Sequence, residues 1–273
     1  MRMLTSNWCR SLARQLARAL TSLALGTGCM VAPALAVLPD EIQVYTDDIN
    51  KPGEFGLELH VNTTPKGRST PDFPGEITPY HGLRVTPEFS YGLTRDFEAG
   101  LYMPYVRDAE GTTHFAGPKL RLKWLPVQPT EGGRRWFMGA NLEYAQIASN
   151  LEESRYAIEL RPIIGYRSSD WLFAANPILG WALTGPDHDG KPEFTPSAKF
   201  ARNVAPGIAL GAEYYAGLGK INHILPHAEQ SHTLYFAIDY DRKPWVFNFG
   251  IGRGLTDATD RWTLKAIFEV PFD

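Results

Sequence analysis

The residues with the most chemical potential in this chain are charges set two apart. Lys119, Arg121 and Lys123 form a basic ladder of period two. Glu98 precedes it, Glu143 follows it, and Glu159 and Arg161 come next. Successive side chains of a strand point to opposite sides, so all three cations share one face. Two readings fit: a pore lining whose transverse field sorts charged solutes, or a salt-bridge network that fills a narrow interior and conducts nothing. Catalytic alternatives are thinner. His223, His227 and His232 gather with Ser231 and Glu229 in one loop, but a Ser-His-acid site needs partners that the fold brings together, not loop neighbours. Asp187-His188-Asp189-Gly190 offers oxygen ligands without the spacing of a calcium loop, and reads as a turn. The chain has no phosphate-binding glycine loop, no G-x-S-x-G and no Cys/His zinc pattern. The expectation is therefore no catalytic residue, no metal site and no cofactor.

Those charges need elements to hold them. From Gly53 onward the dominant period is two, in segments at about 53–63, 81–92, 96–107, 114–125, 135–147, 155–168, 171–184, 193–203, 207–219, 232–242, 244–254 and 261–272. Each is roughly ten residues, the length of a tilted membrane strand. In the last, Trp262, Leu264, Ala266, Phe268, Val270 and Phe272 share one face, and Thr263, Lys265, Ile267, Glu269 and Pro271 the other. The apolar phase is read as free of Asp, Glu, Lys and Arg throughout. The opposite phase carries Glu54, Glu58, Arg84, Glu88, Glu98, Lys119, Arg121, Lys123, Glu143, Glu159, Arg161, Lys199, Glu213, Asp239, Lys265 and Glu269. A soluble sandwich would place charge outside. An up-and-down transmembrane barrel of about twelve antiparallel strands places it inside, and from Arg84 onward these residues are the candidate lumen lining.

Connections and aromatics agree. Long connections (64–80, 108–113, 148–154, 185–192, 220–231, 255–260) alternate with short ones, except for the longer 126–134. Phe55, Tyr91, Phe97, Trp124, Trp136, Tyr166, Trp171, Phe200, Tyr240, Trp245 and Phe272 fall at one set of strand ends. Tyr105, Phe115, Tyr144, Tyr156, Trp181, Phe194 and Trp262 fall at the other, as interfacial girdles would. Against the pattern, Pro87, Pro118, Pro162, Pro177 and Pro196 interrupt the apolar phase, and each removes a ladder donor.

Residues 1–36 contain Arg2, Arg10, Arg14 and Arg18, no acid, an apolar stretch from about Ala19, and Ala34-Leu35-Ala36 at the end. This is the layout of a secretory signal cleaved after Ala36. Cleavage would remove both cysteines, Cys9 and Cys29. Removing four arginines from 27 basic residues leaves 23 against 30 acids, a net of −7. Residues 37–52 would follow as a periplasmic N-terminal segment, either a plug or a leader, and 53–273 as the barrel. The mean hydropathy of −0.24 argues against a bundle of membrane helices and says nothing of a barrel.

The C-terminal alternation resembles the assembly signal of Gram-negative outer-membrane barrels, although Asp273 follows the aromatic Phe272. Asp47-Asp48-Ile49-Asn50-Lys51-Pro52-Gly53-Glu54-Phe55, Thr86-Pro87-Glu88-Phe89-Ser90-Tyr91-Gly92-Leu93-Thr94 and Gly117-Pro118-Lys119-Leu120-Arg121-Leu122-Lys123 resemble a group of outer-membrane barrels similar to the family associated with the meta-pathway of phenol degradation. The resemblance implies an outer-membrane channel or uptake role, with aromatic or hydrophobic compounds as the implied solutes. The expected partners are outer-membrane lipid, the barrel-assembly machinery through the last strand, and a small-molecule solute, with no nucleic acid. The alternatives left open are an outer-membrane hydrolase at the rim and a non-conducting structural barrel or adhesin.

Overall fold

The computed structural model describes residues 41–133 and 135–270. The leader 1–36 and Phe272 lie outside the described residues. Twelve staves make one closed antiparallel sheet. They are β1 (Phe55–Lys66), β2 (Leu83–Gly92), β3 (Phe97–Tyr102 and Tyr105–Arg107), β4 (Thr113–Phe115 and Lys119–Val127), β5 (Trp136–Gln146) and β6 (Tyr156–Arg167). Then come β7 (Trp171–Asn176 and Leu179–Ala182), β8 (Glu193–Phe194 and Ser197–Ala205), β9 (Ile208–Gly217 and Gly219–Lys220), β10 (Ser231–Arg242), β11 (Trp245–Gly254) and β12 (Trp262–Glu269). Each stave pairs with its sequence neighbours, and β1 pairs with both β2 and β12, so the ring of staves closes; a two-residue strand, His223–Ile224, extends it beyond the long-loop end of β9. Closure satisfies the ladder without water, as a lipid-facing wall requires.

The staves follow the parity of the sequence. Leu120, Leu122, Trp124, Trp136, Met138, Leu142, Phe236 and Ile251 stand exposed on the outer face, while His60, Thr86, Glu88, Lys119, Asn141, Glu213 and Lys265 are buried inside. An outer surface of that kind is an apolar wall far too large to leave in water. Rings gather at its rims. Phe97 stacks on Trp124 (6.2 Å), Trp136 meets Tyr166 edge-on (5.2 Å), Trp171 stacks on Phe200 (5.0 Å) and Tyr240 on Phe247 (4.8 Å) at the short-turn end. Tyr105–Phe115 (5.2 Å) and Tyr144–Tyr156 (6.3 Å) do the same at the long-loop end.

Two details depart from the sequence reading. Among the described residues the outer phase does carry charge, but at stave ends, at Lys66, Arg107, Arg202, Arg242 and Arg253. Three of these lie over rim rings: Arg202 over Trp171 (5.0 Å), Arg253 over Trp262 (5.0 Å) and Arg242 over Tyr240 (5.8 Å). Long stems let a guanidinium reach out of an apolar belt from such positions. The prolines are absorbed mostly by breaks. Pro104, Pro118, Pro177 and Pro196 sit between the two segments of β3, β4, β7 and β8, while Pro87 and Pro162 stay inside continuous strands and Pro65 and Pro126 stand one residue from a strand's end. The breaks are matched across the sheet, so the carbonyls of Pro87, Pro104, Pro118 and Pro196 accept from Met103, Ala116, Gln146 and Ala216 at 2.9–3.0 Å.

Candidate functional site

The site is the barrel interior, and its short-turn half is filled by the chain's own residues 41–52. Ile42, Val44, Tyr45 and Thr46 are buried there. The segment has no strand of its own, so its backbone groups must find partners on the wall. The Tyr45 N–H donates to Asn176 Oδ1 (2.7 Å), and Asn176 Nδ2 donates back to the Tyr45 carbonyl (3.1 Å). The Asn50 N–H donates to Glu98 Oε2 (2.7 Å). Lys265 Nζ donates to the Ile42 carbonyl (2.9 Å), and Lys123 Nζ to that of Asp48. At the rim Arg167 holds Asp47 (2.6 Å) and reaches Asp48 (3.5 Å).

A small apolar patch on the otherwise polar inner wall receives the segment. Leu125, Phe137, Ile163 and Ala174 come from β4, β5, β6 and β7 and pack against Val44 and Tyr45. Phe137 can lie flat on β6 only because residue 165 is glycine: a Cβ there would stand 2.0 Å from Phe137 Cζ. The ring of Tyr45 lies among three cations, Arg161 (4.4 Å), Lys123 (5.1 Å) and Arg121 (5.9 Å), and its hydroxyl bonds that of Tyr102.

Around this segment the sequence-derived lining residues form three ion-paired groups. In the first, Arg121 bridges Glu88 (2.5 Å) and Glu98 (2.7 Å), and His60 lies 3.0 Å from Glu88 and 3.7 Å from Glu58. Glu58, His60 and Glu88 place three ligand-type atoms within 4.8 Å of one another, but both Glu88 oxygens are already engaged, one by Arg121 and one by His60. In the second, Glu213 takes Lys265 (2.5 Å), Lys199 (3.3 Å) and the Tyr215 hydroxyl (2.6 Å), while Asp239 takes Lys199 (2.7 Å) and Asn248 Nδ2 (2.6 Å). Arg161 joins Glu159 (2.8 Å) to Glu41 (3.5 Å), and Asn141 Nδ2 donates to Glu143 (2.7 Å). Arg84 and Lys119 are buried on the same wall. Glu269 belongs to the inner phase but stands exposed at the rim, 3.4 Å from Lys243. Glu54 precedes β1, where its carboxylate accepts from the Lys51 N–H (2.9 Å).

Toward the long loops the interior opens into a cavity of about 60 Å³, bordered by Glu143, Glu152, Ser154, Glu159, Gly180 and Glu193. Above it the loops are packed. Ile77 of the 67–82 connection joins Val106, Ala116, Ala145, Ile147 and Leu151, and its N–H donates to the Asn150 carbonyl (2.7 Å). The longest connection therefore folds over the mouth, braced within itself by Arg68 and Glu76 (2.6 Å) and tied to the 255–261 loop by the Arg68 N–H to Asp260 (3.0 Å).

The other sequence candidates lie elsewhere. His232 has both ring nitrogens engaged, with the Tyr214 hydroxyl (2.5 Å) and Gln230 Oε1 (2.9 Å), and His227 stacks on it (5.1 Å). Asp187 and Asp189 face Lys220 at 3.5 and 2.8 Å, so a lysine already sits between the two carboxylates of that turn.

No protein-family model matches this chain, and no curated protein matches it by sequence. Solved structures do match. An outer membrane channel from Pseudomonas putida F1 superposes with a TM-score of 0.59 at 14% identity, covering 85% of this chain and all of that one. The fold is that of an outer-membrane channel barrel. Two porins fit the same barrel less closely. KdgM gives 0.51 at 8% identity over 80% of this chain and 99% of its own, and NanC gives 0.51 at 9% over 81% and 100%. At such identities the likeness speaks for the barrel and not for its contents.

Proposed function

We propose that this protein is an outer-membrane channel for small solutes, closed at rest by residues 41–52. The observation that carries the reading is the inversion of the two faces: a continuous apolar outer wall and an inner wall bearing charge at every level. A barrel with no passage to build has no need of so many buried charges, since desolvating each costs more than an apolar filling would. The short-turn end would face the periplasm and the packed long loops the exterior. Passage would need the 41–52 segment to leave. The bonds that hold it are side chains and single carbonyls, not a strand ladder, so it can withdraw without opening the sheet.

The charged wall favours small polar or ionic solutes. Aromatic or hydrophobic compounds rest on the sequence resemblance alone. The opposing reading, a barrel that never conducts, draws on the same filled interior. Liposome swelling with protein lacking 41–51 separates the two. A graded entry of small charged and sugar solutes is expected, and a folded, inserted barrel that admits none overturns the channel reading.

A further inference from the structure

We propose that the long-loop rim of β1, β12 and β11 docks the phosphomonoester headgroup of a membrane lipid, held by Lys66 and Arg253 on either side of Trp262. The register places the three in one row. Lys66 lies opposite Trp262 of β12, and Trp262 lies opposite Arg253 of β11. All three belong to the outer phase, and Leu264, Ala266 and Phe268 continue that phase below them as an apolar belt. The row therefore stands where acyl chains give way to headgroups, the level that tryptophan favours. The proposal rests on the outer wall meeting lipid and does not require the barrel to conduct.

Lys66 reaches this row through an irregularity in β1. Between Leu264 and Trp262, β12 has one residue, Thr263. Between their partners Thr63 and Lys66, β1 has two, Thr64 and Pro65. Plain alternation from Thr63 would turn residue 66 inward. The extra residue makes a bulge, and a bulge re-aims the side chains beyond it. Pro65 fits there because it has no N–H to withdraw from a ladder already interrupted. The outcome is an exposed lysine beside an exposed tryptophan.

Arg253 is fixed from the other side. Its guanidinium lies over the Trp262 ring (5.0 Å), and Nη1 donates to the Arg261 carbonyl (3.3 Å). Neither Lys66 nor Arg253 has a carboxylate partner among the described residues, because the acids of this end are held by other cations. Arg68 takes Asp72 and Glu76, His114 takes Asp108, and Lys220 takes Asp187 and Asp189. In the 255–261 loop Asp260 accepts from the Arg68 N–H (3.0 Å), and Asp257 stands exposed. The short-turn rim is built differently: Arg202 lies opposite Trp171 on one side and Leu210 on the other, so its ring has one cation and not two. Neighbouring strands are ~4.8 Å apart, so Lys66 and Arg253 start roughly 10 Å apart and their long stems can close on one group above the ring. Two cations match a dianion. A phosphomonoester carries about −1.5 to −2 near neutral pH, more than the single charge of a diester, and a guanidinium takes phosphate oxygens in pairs.

The test is one of lipid binding. Full-length protein in detergent is titrated with dioleoyl phosphatidic acid, a phosphomonoester, and bound lipid is read by native mass spectrometry. Dioleoyl phosphatidylglycerol, a diester, and dioleoyl phosphatidylcholine, which has no net charge, are the comparisons. Phosphatidic acid is expected to bind at least about tenfold more tightly than either. Lys66→Ala combined with Arg253→Ala should abolish that preference, and Lys66→Glu alone should remove most of it. Arg202→Ala combined with Arg242→Ala, at the short-turn rim, should leave it intact. Inorganic phosphate at matched concentration should not displace the lipid, since it has no chains to lie on the belt. Heat-modifiable migration reports that each variant is folded. Equal binding of the three lipids, an undiminished preference in the folded Lys66 and Arg253 variants, an equal loss in the short-turn variant, or displacement by inorganic phosphate overturns the proposal. None of these outcomes bears on whether the barrel conducts.

Discussion

The two halves of the lumen handle buried charge differently. In the short-turn half, Arg121 sits between Glu88 and Glu98, and Glu213 between Lys199 and Lys265, all at hydrogen-bonding distance or close to it. Residues 41–52 then complete the coordination with their own carbonyls and Tyr45. In the long-loop half, carboxylates outnumber cations around an open space, and Ser154 Oγ is left without a partner. The first half is filled by the chain itself, and the second is left partly open.

The largest effect should come from breaking the filled half. Glu213→Ala would leave Lys199 and Lys265 facing each other inside the wall. Removing one partner of a buried pair costs ~3–5 kcal/mol. The temperature at which the barrel loses its compact migration on gels should fall sharply, and a fall no larger than that of a surface variant would refute the pairing.

A smaller effect belongs to the open half and carries a pH signature. Glu152 ionises at about 8 when folded, against an ordinary 4.5. The folded state therefore holds an extra proton between those values. Stability should fall as pH rises from about 4.5 to about 8 and level off above it. Glu152→Gln should flatten that slope, and unchanged melting profiles would contradict the assignment. The smallest effect is expected outside both halves. Asp189→Asn removes the 2.8 Å contact with Lys220 at the loop surface, where an exposed ion pair is worth under ~1 kcal/mol. A large loss there would mean that the turn does more than shed solvent.

The barrel itself was legible because its signal is local. Parity along Trp262–Glu269 or Lys119–Val127 can be read without knowing any partner, and twelve such runs leave few alternatives. The outer arginines were misplaced because strand ends obey the rim and not the belt. Whether residues 37–52 plug or lead could not be read. Tyr45 and Asn176 are 131 positions apart, and the residues between Ile42 and Asn50 carry no period of their own. One trace was available. Leu125, Phe137 and Ile163 are apolar residues in the polar phase of three successive staves, all near the short-turn end, and an apolar patch inside a polar lumen needs a cover. The cavity beyond was out of reach, because it depends on which loops fold inward, and only Gly180, a glycine in the polar phase beside Trp181, hinted at it.

The central claim is that residues 41–52 close a passage that the barrel otherwise provides. Single-channel recording in planar bilayers tests it directly, comparing full-length protein with a variant lacking residues 41–51, both shown to be folded by heat-modifiable migration. The account predicts small or rare openings for the full-length chain and stable conductance, at least about tenfold higher, for the variant. Equal conductance in the two, or silence from a folded and inserted variant, would contradict it.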